Sequence, residues 1–210
     1  MIARFAPLAG LTLFVLLGVV WRGWLQYRKY GNLGIVLFQS AGWQRALRDL
    51  AFLLLFLAVM LQAAIFAAAP QTLSRLAAIA MPSWMMAVGG LTLLASLALI
   101  VAAQLNMGAS WRIGIDHEAS PGLVTSGLYK FCRNPIYLGM IGSLVGITLM
   151  LTTWLSLALA AGVIWCIYTQ TLEEETYLVR TYGVAFRRYA ARVGRFWPGV
   201  GLIEFNSEAA

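Results

Sequence analysis

Long apolar stretches and short polar segments alternate along the chain. Five apolar stretches can be traced, at Phe5–Trp21, Leu50–Ala69, Ser83–Gln104, Pro135–Thr152 and Trp154–Gln170. A helix that crosses the hydrocarbon core of a bilayer needs about 20 such residues, within a range near 17–25. The pattern therefore predicts an all-α integral membrane protein with about five transmembrane helices.

The segment after the fifth stretch has the pattern of a cytosolic C-terminal amphipathic helix that begins near Leu172. Its apolar residues recur every four positions, at Leu178, Tyr182 and Phe186. Glu174 lies four residues before Leu178, so we expect it on the same inward-facing stripe. Glu173 and Glu175 are rotated by about 100° to either side of it. The periodicity thus predicts one inward-facing glutamate, Glu174.

The fourth apolar stretch begins with the signature of a helix start. Asn134 is a preferred N-cap residue, and proline, here Pro135, is common at the first helical position. A stripe of small residues suited to close helix packing follows, at Gly139, Gly142 and Gly146. Thr152-Thr153 then makes a tight outer turn into the fifth stretch. The two stretches form a hairpin, so we expect the loop before Asn134 and the helix after Gln170 to meet.

The composition agrees with a membrane location. Of the 210 residues, 61% are hydrophobic and 11% are charged, and the mean hydropathy is +0.79. Soluble domains are about half apolar and roughly a quarter charged. The character of the sequence changes after Gln104. We therefore divide the chain into residues 1–104, with the first three helices, and residues 105–210, with a long loop, the hairpin and the tail helix.

Basic residues are concentrated in three segments. Arg22–Asp49, Leu105–Asn134 and the tail after Gln170 hold 13 of the 15 Lys and Arg residues. With five spans these segments lie on one face of the membrane, which the positive-inside rule makes cytoplasmic. We expect an outside N-terminus, a cytoplasmic C-terminus and a bacterial-type inner membrane. The net charge of +7 favours membrane lipid, rather than nucleic acid, as its counterpart.

Two features of the cytosolic region suggest ligand binding. The first-turn N–H groups of the helix after Asn134 form a potential anion site, to which Arg133 adds charge; the alternative is a simple helix start. A buried carboxylate at Glu174 would need donors or a cation; the alternative is a solvated glutamate favoured by the helix dipole. His117 is the single histidine, and the sequence has no metal-binding spacing.

Four short motifs are spaced along the second half of the chain. They are Leu-Val-Thr-Ser-Gly-x-Tyr at 123–129, Arg-x-Pro-x-Tyr at 133–137, Glu-Glu-x-x-Leu-x-x-x-Tyr-Gly at 174–183 and Tyr-x-x-Arg-Val at 189–193. This region, about Trp111–Pro198, resembles the isoprenylcysteine carboxyl methyltransferase family, and related phospholipid methyltransferases share part of the pattern. The resemblance implies an integral membrane enzyme that uses S-adenosylmethionine.

The resemblance also implies which residues contact the cofactor. Carried over onto this sequence, they are Val124, Tyr129, Asn134, Pro135, Ile136, Tyr137 and Glu174. The chain departs from the family pattern at two positions. Asn134 stands where the family usually has histidine, and Gln170 stands where the members that methylate prenylcysteine carry an arginine. Gln170 is therefore the candidate substrate-binding residue.

The sequence thus predicts methyl transfer from S-adenosylmethionine to a lipophilic or lipidated acceptor at the cytosolic membrane face. A carboxylate acceptor needs no base, whereas a thiol or amine must lose a proton, for which Glu175 and Tyr137 are the candidate acceptors.

Two alternatives remain at this stage. The first is a membrane reductase of the sterol-reductase-like class that uses NADPH, although such enzymes are larger and have more spans. The second is a small transporter or channel subunit, although the predicted spans lack the central ionisable residues that transport paths usually need. The sequence does not indicate the oligomeric state.

Overall fold

The part of the chain that the structure describes is built from five long helices. The computed structural model describes residues 2–36, 43–72, 79–113 and 122–204. The helices are α1 (Ala3–Tyr30), α2 (Trp43–Ala68), α3 (Trp84–Met107), α4 (Pro135–Leu151) and α5 (Trp154–Ala190). The predicted all-helical membrane fold is confirmed.

Length distinguishes α4 from the other helices. Helices α1, α2, α3 and α5 are each long and apolar enough to cross a membrane. Helix α4 is apolar but has 17 residues, which span only about 25 Å at 1.5 Å per residue. With four helices of spanning length, the chain is a multi-pass integral membrane protein.

Helix α4 packs closely against α3 through the predicted stripe of small residues. A Cβ atom added to Gly146 would lie 2.6 Å from the carbonyl oxygen of Gly89 on α3, and one added to Gly139 would lie 3.0 Å from the carbonyl oxygen of Ser96. Side chains at these positions would force the two backbones apart. Glycine is therefore required where α3 and α4 cross.

A wide turn in α1 fastens that helix to α3. The segment Leu16–Trp21 is π-helical, a form that commonly appears as a single turn inside an α-helix. Within this segment the carbonyl oxygen of Gly18 accepts a hydrogen bond of 2.8 Å from the side-chain amide of Gln104. Gln104 is buried, so this bond holds the two helices together inside the bundle.

The tail helix predicted from Leu172 does not begin there. Helix α5 continues without interruption from the fifth apolar stretch to Ala190, and its only non-helical residue is Gly183, with φ 51° and ψ −122°. The residues around Leu172 include no glycine or proline that would end a helix. The amphipathic segment is therefore a continuation of α5, bent at Gly183.

The two ends of the bundle differ in charge. At the other end, which we call the neutral end because Arg4 is its single charged side chain among the described residues, α4 turns into α5 through Thr152 and Thr153. There Thr153 and Ser156 form a capping box. The charged end comprises Arg22, Arg48, Arg133, Glu173–Glu175 and Arg195, and it lies where α1 and α3 finish and α2 and α4 start.

Candidate functional site

A cavity opens at the charged end of the bundle. It is bounded by the end of α3, the segment before α4 and the C-terminal part of α5. Its lining includes Met107, Ser110, Arg112, Gly122, Leu123, Val124, Tyr129, Arg133, Asn134, Glu174, Glu175, Tyr177, Leu178, Tyr182, Phe186 and Tyr189. The loop before the hairpin and the helix after it therefore meet, as predicted.

Glu174, Glu173 and Glu175 each point to a different partner. Glu174 lines the cavity, and its carboxylate lies beside the hydroxyl of Tyr137 on α4. Glu173 is turned towards α2, where it pairs with Arg48. The expectation that Glu174 alone faces inward is wrong, because Glu175 also lines the cavity and is only 5% exposed.

Glu175 is held between two arginines. Its Oε1 atom accepts hydrogen bonds from Nε and an Nη of Arg133, at 3.1 and 2.8 Å. Its Oε2 atom accepts from Nε and an Nη of Arg195, at 3.0 and 2.8 Å. Hydrogen bonding to Glu175 raises the pKa of the Arg195 guanidinium. Both carboxylate oxygens are thus occupied by arginine donors, so this arrangement does not favour Glu175 as a base.

Arg133 is saturated by contacts within the protein. Besides Glu175, its guanidinium donates to the carbonyl oxygens of Ala190 and Gly201, at 3.0 and 2.7 Å, and to that of Val193. An arginine side chain has five N–H donors, and these contacts use all of them. The expectation that Arg133 would bind a ligand anion therefore does not match its geometry. Its position instead fastens the segment after α5 beneath the cavity.

The start of α4 makes similar contacts with that segment. The backbone N–H of Asn134 donates to the carbonyl oxygen of Arg195 at 3.1 Å, and the backbone N–H of Arg133 donates to that of Gly194 at 2.9 Å. The Asn134 side chain is turned to the Arg195 carbonyl as well, at 3.2 Å, and makes no capping bond. Asn134 and Pro135 do occupy the predicted N-cap and first helical positions.

Tyrosines form much of the cavity wall, with Tyr129 buried and Tyr182 and Tyr189 half-buried. The Tyr189 hydroxyl donates to the carbonyl oxygen of Tyr129 at 2.6 Å, and the Tyr182 hydroxyl accepts from the backbone N–H of Gly122 at 3.2 Å. Burial, followed by the charge of Glu174, raises the pKa of the Tyr129 hydroxyl. Burial also raises the pKa of the Tyr189 hydroxyl. Both side chains therefore stay neutral and can offer their ring faces to a ligand.

Helix α1 holds another part of the cavity wall in place. Arg22 is 2% exposed, and its guanidinium lies 4.6 Å from the ring centre of Trp111. It also donates to the carbonyl oxygen of Gly108 at 2.6 Å, while Gln26 donates to that of Ala109 at 3.1 Å. These contacts fix the segment that places Ser110 and Arg112 at the cavity. The sequence gives no local sign of them, because the partners are more than 80 residues apart.

The candidate cofactor residues fall into two groups. Val124, Tyr129, Asn134 and Glu174 line the cavity. Pro135, Ile136 and Tyr137 are not part of that lining; Pro135 is fully buried, and the Tyr137 hydroxyl lies beside the Glu174 carboxylate. Gln170 lies beside the same Tyr137 hydroxyl.

Two further expectations concern other residues. His117 lies outside the described residues. Within the described ranges, His, Cys, Asp and Glu side chains form no group of three that could hold a metal ion. Cys132 and Cys166 are both buried free thiols.

Comparison with known proteins connects this region with methyltransferases. Residues 84–185 match the family model for phospholipid methyltransferase. The chain is 35% identical over 102 residues to protein-S-isoprenylcysteine O-methyltransferase A of Arabidopsis thaliana, covering 47% of this chain and 52% of that protein. It is 30% identical over 105 residues to the nickel-cobalt-cadmium resistance protein NccN of Alcaligenes xylosoxydans xylosoxydans, covering 50% and 48%. The chain thus spans about half the length of these relatives.

A solved structure has a similar fold. It is that of the eukaryotic intramembrane Ras methyltransferase ICMT, isoprenylcysteine carboxyl methyltransferase, with a TM-score of 0.56. The match covers 86% of this chain and 61% of that one at 18% sequence identity, so it concerns the fold alone. The family resemblance predicted from the four motifs is confirmed, and the matched region begins earlier than the motifs, at the start of α3.

Proposed function

We propose that the cavity at the charged end binds S-adenosylmethionine and that the chain transfers its methyl group to a lipophilic acceptor. The observation that carries this proposal is the position of Glu174. Its carboxylate lines the cavity beside the hydroxyl of Tyr137, where a ligand that brings an ammonium group or ribose hydroxyls would supply the donors that a sheltered carboxylate needs. The methyltransferase relatives and the match at residues 84–185 support the same assignment.

The cavity wall is suited to the remaining parts of this cofactor. Tyr129, Tyr182, Phe186 and Tyr189 offer aromatic faces against which an adenine ring would stack. Aromatic rings also attract cations held over their faces, so a sulfonium group would be favoured there. Val124 and Asn134 would complete the contacts from the segment before α4.

Most of the catalytic work in this proposal is positioning. The cofactor supplies an already activated methyl group. The residues of the chain bind, orient and exclude water, and such preorganisation accounts for about 7–11 kcal/mol in well-aligned reactions. Tyr137 lies between the Glu174 carboxylate and Gln170, which places it between the cofactor cavity and the apolar part of the bundle.

The acceptor follows from the location of the site and from the relatives. Helices α4 and α5 pass from the cavity into the apolar bundle, so an acceptor could approach from the bilayer. Several relatives are named as methyltransferases of isoprenylcysteine in proteins, and we propose a lipidated acceptor for this chain. A carboxylate acceptor would need no base. For an acceptor that must lose a proton, the Tyr137 hydroxyl would accept that proton while passing its own to the Glu174 carboxylate beside it, a route that Glu175 does not offer.

We also propose that the charged end faces the cytoplasm, so that the N-terminus lies outside. Supporting this orientation, the three segments at or next to this end carry 13 of the 15 basic residues, and such residues are retained on the cytoplasmic side. A reporter fused to the C-terminus that is active only in the cytoplasm tests the orientation. Activity of an exported reporter at the same position would contradict it.

Cofactor binding can be tested with the whole chain purified in detergent. We expect S-adenosylhomocysteine to bind in calorimetry and to raise the melting temperature, and NADPH to do neither. The converse result would contradict the proposal and favour a reductase. Incubation of lipid and prenylated-peptide extracts with isotopically labelled S-adenosylmethionine, followed by mass spectrometry, then identifies the acceptor.

A further inference from the structure

The segment after α5 forms a closed loop whose two ends are hydrogen-bonded to each other. The backbone N–H of Ile203 donates to the carbonyl oxygen of Ala190, the last residue of α5, at 3.1 Å. Within the loop, the N–H of Arg195 donates to the carbonyl oxygen of Val200 at 2.8 Å. We call residues 191–203 the return loop. Because it is bonded at its ends and across its middle, the return loop has a defined shape.

The tip of the return loop is a tight turn formed by Trp197-Pro198-Gly199-Val200. The backbone N–H of Val200 donates to the carbonyl oxygen of Trp197 at 3.1 Å, and Gly199 has φ 75°. Proline followed by a glycine with positive φ is the signature of a type II turn. A Cβ atom added to Gly194 would collide with the Trp197 carbonyl oxygen, so the turn is packed against the start of its own loop.

This turn displays large apolar side chains on the surface instead of burying them. Trp197 is 63% exposed, Val200 is 62% exposed and Leu202 is 46% exposed. Phe131, 65% exposed, adds to them from the segment before α4, because the next residue, Cys132, is paired with Gly194 through a backbone bridge. A group of exposed apolar side chains marks a surface that meets an apolar partner.

The return loop lies beside the apolar part of the bundle. The guanidinium of Arg195 is 5.7 Å from the ring centre of Tyr168, which belongs to the apolar part of α5 and is itself 39% exposed. The loop also accepts hydrogen bonds from the backbone at the start of α4, an apolar helix that begins at Pro135. The exposed side chains are therefore at the level where α4 and α5 pass from polar to apolar surroundings, which is where tryptophan is enriched in membrane proteins.

The charge around the return loop favours an anionic partner. Residues 187–203 contain four arginines and no aspartate or glutamate. Arg195 is paired with Glu175, whereas Arg187 and Arg192 are exposed. Anionic lipids attract basic residues next to a membrane-spanning helix. An acidic protein would also attract the arginines, but it would not account for the position of Trp197 beside the apolar part of α5.

We propose that the return loop docks on the bilayer, with Trp197 and Val200 inserted below the head groups of anionic lipids and Arg187 and Arg192 at the level of the phosphates. An apolar face flanked by basic residues is the combination by which peripheral segments bind to membrane surfaces. Here the segment is the last part of a protein that already spans the membrane, so docking adds no new anchor. It fixes the position of one loop.

The position of this loop affects the cofactor cavity. Arg195 of the loop holds one oxygen of Glu175, at 2.8 Å, and Arg133 holds the other oxygen and also donates to the carbonyl oxygen of Gly201, at 2.7 Å. Both Arg133 and Glu175 line the cavity. Lipid that holds the return loop in place therefore also stabilises the cavity wall. This part of the inference rests on the proposed function, because the state of the cavity is measured with S-adenosylhomocysteine.

Insertion is tested with a nitroxide spin label in nanodiscs of phosphatidylcholine and phosphatidylglycerol. We expect a label on Val200→Cys to be more accessible to oxygen than to a water-soluble nickel chelate. Thr181→Cys is the control, because Thr181 is exposed and lies about 40 Å along α5 from Trp154 at 1.5 Å per residue, beyond a hydrocarbon core of about 30 Å. The unaltered protein, with both cysteines buried, gives the background of labelling. Equal nickel accessibility at the two positions overturns docking.

The anionic character of the partner is tested by omitting phosphatidylglycerol. We expect the label on Val200→Cys to become more accessible to the nickel chelate in phosphatidylcholine alone. Adding Arg187→Gln and Arg192→Gln to the labelled protein should produce the same change in the mixed nanodiscs. An unchanged label in both comparisons would contradict a role for lipid charge.

The effect on the cavity is tested by binding of S-adenosylhomocysteine in the mixed nanodiscs. We expect Trp197→Ser to weaken binding about 5-fold, and Trp197→Tyr, which keeps an aromatic ring suited to the interface, to retain it. Trp24→Ser is the matched control, because Trp24 is 51% exposed on α1. If the label shows insertion but Trp197→Ser binds as tightly as the unaltered protein, the effect on the cavity is overturned. If the unaltered protein does not bind S-adenosylhomocysteine, the methyltransferase proposal fails, and the spin label still decides whether the loop is docked.

Discussion

The two ends of the α4–α5 hairpin are held together by different kinds of side chain. At the neutral end, Thr153 and Ser156 cap α5 with hydrogen bonds of 3.0 and 3.2 Å, and Gln62 of α2 donates to the Thr153 hydroxyl at 2.6 Å. At the charged end, the corresponding role is taken by a buried glutamate and two arginines. The neutral end closes the hairpin with uncharged groups, whereas the charged end keeps a cavity beside it.

This difference indicates what the charged cluster is for. A buried ion pair costs so much desolvation that replacing it with apolar side chains is often neutral or stabilising, and the neutral end demonstrates that a helix junction in this bundle needs no charges. The Arg133–Glu175–Arg195 cluster instead holds three separate parts of the chain, α4, α5 and the segment after α5, around one cavity. We infer that the cluster is retained because it positions the cavity wall.

The largest effect is expected from breaking this cluster. Arg133→Ala leaves three carbonyl oxygens and one side of Glu175 without their donors, and removal of one partner from a buried pair costs about 3–5 kcal/mol. We expect a loss of stability of that size when unfolding is followed in mixed detergent micelles. Arg133→Lys should recover only part of it, because an ammonium group cannot reproduce the planar fork. Arg187→Ala, at an exposed position on α5, is the control and should cost little.

The second-largest effect is on S-adenosylhomocysteine binding, and we expect it for a change at Glu174 but not for one at Glu173. Glu174→Ala should weaken S-adenosylhomocysteine binding by at least about 100-fold, or about 2.7 kcal/mol, with little change in melting temperature, because its carboxylate lines the cavity. Glu173→Ala should leave that affinity nearly unchanged, because Glu173 is turned to Arg45 and Arg48. Equal effects in calorimetry would mean that Glu174 has no special position.

The different surroundings of Glu173, Glu174 and Glu175 also show how much of the site the sequence can predict. Helical periodicity gives the 100° rotation between successive residues and so indicates that Glu173, Glu174 and Glu175 face three directions. It does not indicate the partners, because Arg48 belongs to another helix and Arg195 to a segment that returns beneath α5. Glu175 lies off the apolar stripe, so periodicity alone could not identify it as the most buried of the three.

Features that depend only on residues close together in the sequence could be predicted. The helix start at Asn134-Pro135, the Thr152-Thr153 turn and the glycine stripe on α4 all have local signals, and all are present in the structure. The boundary at Leu172 was wrong because amphipathic periodicity begins there while the helix itself does not. A change in hydrophobic pattern marks a change of environment, and it marks a helix end only when a helix-breaking residue accompanies it.

A smaller effect on binding is expected from α1, which contacts the cavity wall but does not line it. Arg22→Leu removes the contacts to Trp111 and Gly108 and should loosen the segment that carries Ser110 and Arg112. We expect S-adenosylhomocysteine to bind about 10-fold more weakly, or about 1.4 kcal/mol, as measured by calorimetry. Arg28→Leu, six residues further along α1 and exposed, is the matched control. An unchanged affinity in Arg22→Leu would show that the cavity wall is held without α1.

The smallest effect is expected at the neutral end, from Gln62→Leu. This change removes the hydrogen bond to Thr153, and hydrogen bonds between membrane helices contribute on average about 0.6 kcal/mol, with a maximum near 1.7. It also removes the Gln62 Oε1 atom, which is buried without a hydrogen-bond partner among the described residues, so part of the loss is offset. Stability in detergent should therefore fall by less than about 1 kcal/mol, with unchanged S-adenosylhomocysteine binding. A loss as large as that of Arg133→Ala would remove the contrast between the two ends, because the neutral contacts would then be as essential to the hairpin as the charged ones.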